Sequence, residues 1–340
     1  MIFYIIPYIF LVFMSLLSLK IKGGGYKFIF FLSLIPATLV VVLRGLVGTD
    51  TETYISILDQ SISSIKENAR GIEPFFLVFA KIRHYFDLNS QYVLNLFSFI
   101  MIFVLYLFFS KNKQRSLIFC SLLFPIFFYD MTMNGLRYGM AFAFACWFIV
   151  DSSNNLKLNK NKILYFISFL NHKSSLLFLS FKILQKASLK NFLIIIFTTL
   201  AMFFILKGYL LYKISDYSDF VPPSIFSGSQ PLIVTFLILL CNTYFYKNNF
   251  KRNVFLFIIQ ILFFVLTKVT YAGIRFQFLE LFYIIVILCN DENILKHRNY
   301  VFLLFIIGML GFVLRLNNFV STSGQGGSPF LPYAFFWENI

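Results

Sequence analysis

The sequence predicts an all-α polytopic membrane protein, on the evidence of its composition and its apolar runs. Of the 340 residues, 59% are hydrophobic and 21% are aromatic, and the mean hydropathy is +0.81. Only 13% of the residues are charged, whereas soluble domains carry about 25%. Apolar runs long enough to cross a bilayer, which takes about 20 residues, recur from end to end. We therefore expect one integral-membrane domain over residues 1–340, with about ten transmembrane helices.

The apolar runs define the expected full spans, which are 2–19, 28–43, 90–110, 116–129, 133–150, 191–206, 231–246, 254–271, 272–289 and 300–316. Short basic segments separate many of these spans, and lysine and arginine concentrate on the cytoplasmic side of a membrane. The predicted cytoplasmic loops are 20–27, 111–115, 151–162, 247–253 and 290–299. The predicted outer loops are about 44–71, 207–230 and 317–340. Both chain ends are therefore expected outside.

Two further segments are predicted to be partial elements. Residues 72–88 are short and charged, and they favour an interfacial or re-entrant helix with Pro74 in its first turn. Residues 163–190 contain NHKSS within apolar sequence, and a single span there would reverse every later loop against the positive-inside rule. We therefore expect a broken or re-entrant helix pair with His172 near the bend. Full spans are the alternative for both segments.

Charge and cysteine usage exclude several classes of function. The net charge of +15 does not require a polyanion, because lysines in short loops follow from membrane topology. The four cysteines lie in apolar stretches at spacings that suit neither a zinc site nor a disulfide framework, and they are Cys120, Cys146, Cys241 and Cys289. No phosphate-cradling glycine loop or HExxH motif occurs. We expect no nucleic-acid partner, no cofactor and no metal.

The most informative charged residue is Arg137, near the start of the apolar run 133–150. Moving a guanidinium toward hydrocarbon costs about 2.5–3.5 kcal/mol, so such a residue usually faces a wet cavity and has a charged partner. The alternative is an arginine that extends its charged end to the membrane interface. The predicted topology brings it to the outer half of the membrane with other charged or titratable residues, namely Arg44, Asp50, His172, Lys268 and Arg275. Arg315 also ends an apolar run.

Several guanidiniums at one depth favour an anionic group at the lipid–water boundary, because arginine binds phosphate through two parallel hydrogen bonds and keeps its charge. A lipid diphosphate is the natural candidate. The alternative is that each arginine pairs with lipid phosphate or with an acid such as Asp130 or Glu280.

Five short motifs are spread along nearly the whole chain. They are RGLVGTDTETY (44–54), NGLRYGMAFAF (134–144), FLNHKSSLLFL (169–179), AGIRF (272–276) and FLPYAFF (330–336). Their order, spacing and hydrophobic setting resemble the O-antigen polymerase (Wzy) and EpsG-type exopolysaccharide polymerases. Such proteins often have Arg-Gln where this chain has Arg137 and Tyr138.

The resemblance implies a GT-C-like, metal-independent glycosyltransferase that acts at the periplasmic face of the bacterial inner membrane. Such an enzyme moves the growing glycan from undecaprenyl diphosphate onto a new lipid-linked repeat unit. Its partners would be the undecaprenyl-diphosphate-linked oligosaccharide donor and acceptor, the lipid bilayer and a chain-length regulator protein. The chemistry needs a base near the acceptor hydroxyl and a group that stabilises the departing diphosphate. The expected catalytic residues are His172, Arg137 and Asp50, and the expected substrate-binding residues are Arg44, Arg275, Lys268, Tyr138 and Arg315.

Two other functions stay open on the sequence. A flippase or other transporter of lipid-linked oligosaccharide needs charges along a path to the cytoplasmic side, whereas these cluster on one side. An O-antigen ligase-like transferase shares outer arginines and a histidine, but typically carries a larger outer loop than 207–230.

Overall fold

A computed structural model describes residues 1–21, 23–60, 64, 74–151, 160–184, 224, 226–290, 294–320 and 330–339. Seven helices in this part of the chain are long and apolar enough to cross a membrane, and two shorter apolar helices accompany them. They coincide with the predicted spans, except 191–206, which lies outside the described residues together with 207–223 of the second predicted outer loop. The prediction of an all-α polytopic membrane protein is confirmed.

The described residues divide into two compact units, Met1–Ser175 with Gly308–Ile340, and Leu176–Ile307. The helices that begin in the first unit are α1 (Ile2–Lys20), α2 (Gly25–Val42), α3 (Thr51–Asp59), α4 (Pro74–Tyr85), α5 (Ser90–Phe109), α6 (Lys113–Asn134), α7 (Leu136–Val150) and α8 (Lys160–Asn171). Those that begin in the second are α9 (Leu176–Leu184), α10 (Ser229–Phe245), α11 (Phe250–Thr267), α12 (Ala272–Ile287) and α13 (Arg298–Val320). Helix α13 ends in the first unit.

Helix α6 is buried along its whole length and differs from the prediction at its C-terminal end. The expected span stopped at residue 129, with YDMTMNG as a loop, but the helix continues to Asn134. It does so through a π-helical segment, Asp130–Asn134, and the amide of Gly135 still donates to the carbonyl of Asp130 at 2.8 Å. Because buried backbone groups must be paired, the wider turn keeps the helix intact until Gly135, whose ψ of 62° ends it.

The two predicted partial elements, 72–88 and 163–190, are mainly helical in the parts that the structure describes, whereas residues 72–73 and 185–190 lie outside the described residues. Helix α4 is a 12-residue helix that starts at Pro74, where proline loses no intrahelical hydrogen bond. The NHKSS segment breaks the helical path at His172, and a 3-10 turn, Lys173–Ser175, follows. The broken helix is therefore confirmed, whereas a re-entrant course through the membrane stays a prediction.

In the first unit, two of the predicted cytoplasmic loops lie side by side. The Lys113 ammonium donates to the carbonyl of Leu19 at 2.6 Å, and the Tyr26 hydroxyl donates to the carbonyl of Lys111 at 2.9 Å. Helix α2 runs away from this end, and α5 and α6 also have their basic ends here. The C-terminus of α2, the N-terminus of α5 and the C-terminus of α6 therefore share the opposite end.

The second unit also has one end that carries predicted basic loops and one end that does not. Close to the predicted loops 247–253 and 290–299, the Tyr246 and His297 rings have their centroids 5.7 Å apart. At the other end, the Gln277 amide donates to the Thr267 hydroxyl at 2.8 Å. A Cβ on Gly273 would lie 2.7 Å from that same hydroxyl oxygen, so the glycine of the AGIRF motif allows α11 and α12 to approach closely.

Candidate active site

The Arg44 side chain is completely buried at the end of the first unit opposite the basic loops. Its Nη1 donates to the carbonyl of Thr132 at 3.0 Å, and its Nη2 donates to the Ser98 hydroxyl at 3.4 Å. Thr132 belongs to the π-helical segment of α6. Arg44 therefore ties the loop after α2 to the end of the central helix.

A polar stripe on α5 receives the Arg44 segment. Gln91, Asn95 and Ser98 follow the i, i+4, i+7 spacing of one helix face. The side-chain amides of Gln91 and Asn95 donate to the carbonyl of Arg44 at 3.0 and 3.4 Å, and Ser98 accepts from its guanidinium. An otherwise apolar span thus presents one polar face to one buried arginine.

The FLPYAFF motif binds the same segment from its other side. Arg44 and Phe335 form an isolated antiparallel bridge. The amide of Gly45 donates to the carbonyl of Ala334 at 2.9 Å, and the amide of Phe336 donates to the carbonyl of Leu43 at 3.0 Å. Two motifs that are almost 300 residues apart therefore form one structure.

Burial lowers the pKa of the Arg44 guanidinium to about 9, while Tyr4, Tyr54 and Tyr333 act in the opposite direction. Arg44 therefore keeps its positive charge at neutral pH. Burial also raises the pKa of the Tyr333 phenol to about 12, against the lowering effect of Arg44. The Tyr333 hydroxyl donates to the carbonyl of Val40 at 2.8 Å.

The loop between α2 and α3 lies directly on the π-helical segment. Gly48 has a φ of +105°, and a Cβ there would lie 2.7 Å from the carbonyl oxygen of Met133. Only glycine fits both the left-handed backbone and this close approach. The Thr51 hydroxyl then donates to the carbonyl of Val47 at 2.6 Å, which holds the start of α3 against the loop.

Asn134 joins this loop to the NGLRYG motif. Its Oδ1 accepts from the Thr49 hydroxyl at 2.7 Å and from the backbone amide of Asp50 at 3.0 Å. Asp50 is the residue that precedes α3, and its side chain is partly exposed. The backbone of Asp50 is thereby held next to Asn134, shortly before the helix that carries Arg137.

Arg137 lies in the first turn of α7, one turn beyond Asn134. Its guanidinium carbon is 5.7 Å from the centre of the Tyr54 ring, a cation–π distance. Tyr54 is buried and follows Asp50 by one helical turn. Arg137 and its neighbour Tyr138 are both partly exposed, in contrast to Arg44.

His172 lies at the same end of the first unit as Arg137. Helices α7 and α8 pack antiparallel, with the Ser168 hydroxyl donating to the carbonyl of Ala141 at 2.7 Å and the Phe148 and Tyr165 rings stacked at 4.0 Å. The C-terminus of α8, which precedes His172, is therefore beside the N-terminus of α7. The 3-10 turn that follows His172 also packs on α7.

The hydrogen bonds of His172 indicate its tautomer. The backbone amide of Ser174 donates to Nδ1 at 3.3 Å, and the Ser174 hydroxyl lies 2.6 Å from the same nitrogen. A nitrogen that accepts from an amide must carry a lone pair, so the proton of the neutral ring is on Nε2. In this state Nε2 is a donor.

The remaining predicted residues lie in different surroundings. Arg315, on α13, forms an ion pair with Asp130 at the start of the π-helical segment, the acid that the sequence offered as a partner. Lys268 and Arg275 are exposed and belong to the second unit. The Lys268 ammonium donates to the carbonyl of Ser227 at 2.9 Å. Their common site with Arg137 stays a prediction.

The described residues contain no group of three or more His, Cys, Asp or Glu side chains that could hold a metal ion. The four cysteines are buried, and none of them forms a disulfide within the described residues. Sequence patterns did not single out Thr49, Tyr54, Asn134 or the polar stripe of α5 as functional residues. The stripe had a readable signal, because polar residues at helical spacing within an apolar span mark a face that binds protein or water.

The model of the EpsG family matches residues 26–335 of this sequence. The chain belongs to the EpsG family. The resemblance inferred from the five motifs is therefore confirmed, and the matched range contains nearly all of them. No curated protein and no solved structure matches the chain. Family and helices together make this EpsG family member a multi-pass membrane protein of the polysaccharide polymerase type.

Proposed function

We propose that this EpsG family member transfers a growing glycan from undecaprenyl diphosphate onto a new lipid-linked repeat unit, as a metal-independent glycosyltransferase. The observation that carries the proposal is the position of Arg137. Arg137 is partly exposed and its guanidinium lies over Tyr54, one helical turn from Asp50, at the end of the first unit opposite the basic loops. A positive charge and a carboxylate at the same end of the unit are what transfer from a diphosphate requires.

In the proposed reaction, the bond between the donor sugar C1 and the diphosphate oxygen breaks, and an acceptor hydroxyl oxygen forms a new bond to C1. The diphosphate leaves with additional negative charge, which the Arg137 guanidinium stabilises through paired hydrogen bonds. The Tyr54 ring positions the Arg137 guanidinium through a cation–π contact. Tyr138 lies next to Arg137 at the surface and is proposed to contact the donor.

The acceptor proton goes to Asp50 in this proposal. Asp50 is anchored through its backbone by Asn134. The sequence favours His172 first and Asp50 second as the base, but the neutral His172 ring has its proton on Nε2, because Nδ1 accepts from the Ser174 amide. His172 therefore serves better as a hydrogen-bond donor that positions the sugar or the phosphate.

Arg44 and Arg315 are proposed to act indirectly, by holding the backbone around the site in place. Arg44 bonds to the π-helical segment, and Arg315 pairs with the first residue of that segment. Both therefore hold the backbone from which Asn134 and Arg137 project. Lys268 and Arg275 are proposed to bind a second phosphate, on the acceptor lipid.

The proposed site faces the periplasm across the bacterial inner membrane. The support is the positive-inside rule, since the loops at the opposite end carry the lysines and arginines. A cysteine at Ser227, in the predicted outer loop of the second unit, should react with an impermeant maleimide in spheroplasts with an intact inner membrane. Labelling that requires a breached inner membrane would contradict this orientation.

The test uses the host strain that lacks this gene, complemented with wild type, Arg137→Ala or Arg137→Lys. We expect both variants to be inserted at normal levels and to leave single repeat units on the outer face with little polymer, because a point charge does not replace the planar fork. Arg298→Ala removes an exposed arginine at the basic end and should make normal polymer. Full polymer from Arg137→Ala would contradict the proposed function. Repeat units trapped inside would indicate a flippase, and polymer that stays on its lipid would indicate a ligase.

A further inference from the structure

A groove runs along the outward side of α3, on the face of that helix away from the core. Thr51, Tyr54 and Leu58 of α3 are buried, whereas Glu52 and Asp59 are exposed. Two cavities of 560 and 310 Å³ follow this exposed face. They share Leu46, Ile55 and Asp59, so they form one continuous groove. Each volume is within the range of about 300–1,000 Å³ that is usual for ligand sites.

One carboxylate in the groove is held in a defined orientation. Asp59 Oδ1 accepts from Ser90 Oγ at 2.5 Å and from Arg83 Nη2 at 3.2 Å, and Arg83 Nε donates to the Ser90 hydroxyl at 3.3 Å. The Asp59 side chain is nevertheless 50% exposed. Both bonds go to the same oxygen, so the half-exposed carboxylate, which lines the groove, keeps Oδ2 as a further acceptor for hydroxyls.

Aromatic rings border the same groove. Phe336, from the motif that clamps Arg44, lines the smaller cavity. Its ring centre is 5.6 Å from that of Tyr92 and 4.9 Å from that of Trp337, and Tyr92 and Trp337 are about half exposed. Flat aromatic faces beside carboxylate, amide and hydroxyl groups suit a sugar, whose ring has an apolar face and a polar edge.

The charges of the groove exclude a diphosphate as its ligand. Glu52 and Asp59 are acidic, and the arginine in the lining, Arg83, is already paired with Asp59. An anion would meet a net negative surface there. The groove and the Arg137 site are thus chemically different, and α3 separates them, with Tyr54 on one side and Asp59 on the other.

We propose that this groove binds the sugar residues of the repeat unit that lie away from the lipid diphosphate, and that Asp59, Ser90, Gln91 and Phe336 select them. The proposal rests on the proposed function, because it assigns the glycan part of the same substrate. It predicts two separable recognition steps. The diphosphate is bound at Arg137, and the neutral part of the glycan is bound across α3.

The experiment measures binding of one probe to purified full-length protein in nanodiscs. The probe is the oligosaccharide released by mild acid from the host's own lipid-linked repeat unit, which carries no diphosphate. Asp59→Asn and Phe336→Ala should each weaken binding about tenfold, the loss expected for one charged hydrogen bond or one aromatic contact. Arg137→Ala should bind the probe as wild type does.

Two matched controls separate the groove from its surroundings. Asp87→Asn removes an exposed acid from the turn between α4 and α5, and Phe86→Ala removes an exposed ring beside it, and both should bind normally. Melting temperatures within a few degrees of wild type show that the groove variants are folded. In cells, the groove variants should make shorter polymer.

Wild-type binding by both groove variants would overturn the groove assignment, as would a wild-type protein that does not bind the probe. A loss in Phe336→Ala alone would also overturn it, because the Asp59 carboxylate would then take no part in binding the sugar. These outcomes are distinct from failure of the proposed function. In that case Arg137→Ala would still make polymer, whether or not the groove variants had lost the probe.

Discussion

Arg44 and Arg137 lie in two regions of one small assembly, and their surroundings are opposite. Arg44 lies in a buried region: it has no exposed surface, and its guanidinium donates to a backbone carbonyl and a serine hydroxyl. Arg137 lies at what we call the rim: it is partly exposed, and its guanidinium is over the Tyr54 ring. Tyr54 contacts the rim arginine and also influences the pKa of the buried one.

The comparison teaches that two arginines with the same sequence signature can serve different purposes. A buried arginine whose donors are used by the protein stabilises the backbone around it. A partly exposed arginine at a rim, positioned by an aromatic ring, lies where a phosphate can approach it. The buried region should therefore control whether the protein folds, and the rim should control whether it reacts.

The largest expected effect is on stability, from Arg44→Ala. The substitution leaves a cavity and removes the donors to Thr132 and Ser98, which should cost about 3–5 kcal/mol. We expect little folded protein in the membrane and a strongly lowered melting temperature. Arg298→Ala, at an exposed position, should change neither quantity. Normal levels and melting of Arg44→Ala, with loss of polymer alone, would place Arg44 at the rim with Arg137.

The second largest effect is expected on the rate of glycan transfer. It identifies which residue accepts the proton of the acceptor hydroxyl. Asp50→Asn keeps the size and hydrogen-bonding capacity of the side chain but removes its basicity, so chain growth should slow about 10²–10⁴-fold. His172→Gln keeps a donor amide and should retain most of the activity. Initial rates with purified protein and lipid-linked repeat units provide the comparison. The reverse result, with a slow His172→Gln and a near-normal Asp50→Asn, would make His172 the base.

A smaller effect is expected where the two regions join, at Gly48. Alanine there must adopt a φ of +105° and push against the carbonyl of Met133, at a cost of about 1–3 kcal/mol. Because the Gly48 loop carries Asp50, both the melting temperature and the activity should fall. Gly24→Ala is the matched control, since its φ is −79° and no atom lies within 4 Å of the new Cβ. Equal melting temperatures and activities of the two variants would contradict the close packing of this loop.

Hydropathy and charge were sufficient to predict the described spans and the break at His172. These features depend on local composition, such as apolar length, loop lysines and a polar interruption. The five motifs could also be read from the sequence, through their resemblance to a known family. Their family membership followed from the order of the same residues.

The pairing of these motifs was beyond the reach of the sequence. The bridge from Arg44 to Phe335 joins residues almost 300 positions apart, and no local periodicity predicts it. The π-helical segment of α6 also departs from the 3.6-residue period on which the span limits were based. A third gap is the burial of Arg44, because an arginine at the end of an apolar run has the same pattern whether it faces protein or water.

The most direct test of the different roles of the buried Arg44 and the partly exposed Arg137 is chemical rescue with guanidinium. Purified Arg137→Ala should release undecaprenyl diphosphate about 10²–10³-fold more slowly than wild type, as expected for one lost electrostatic donor. Added guanidinium should restore part of this rate, because the site at the rim is accessible and its surroundings remain folded. The fraction of Arg44→Ala that folds and can be purified should gain no activity from the same addition. Rescue of Arg44→Ala, or an Arg137→Ala protein that is fully active without guanidinium, would contradict the account.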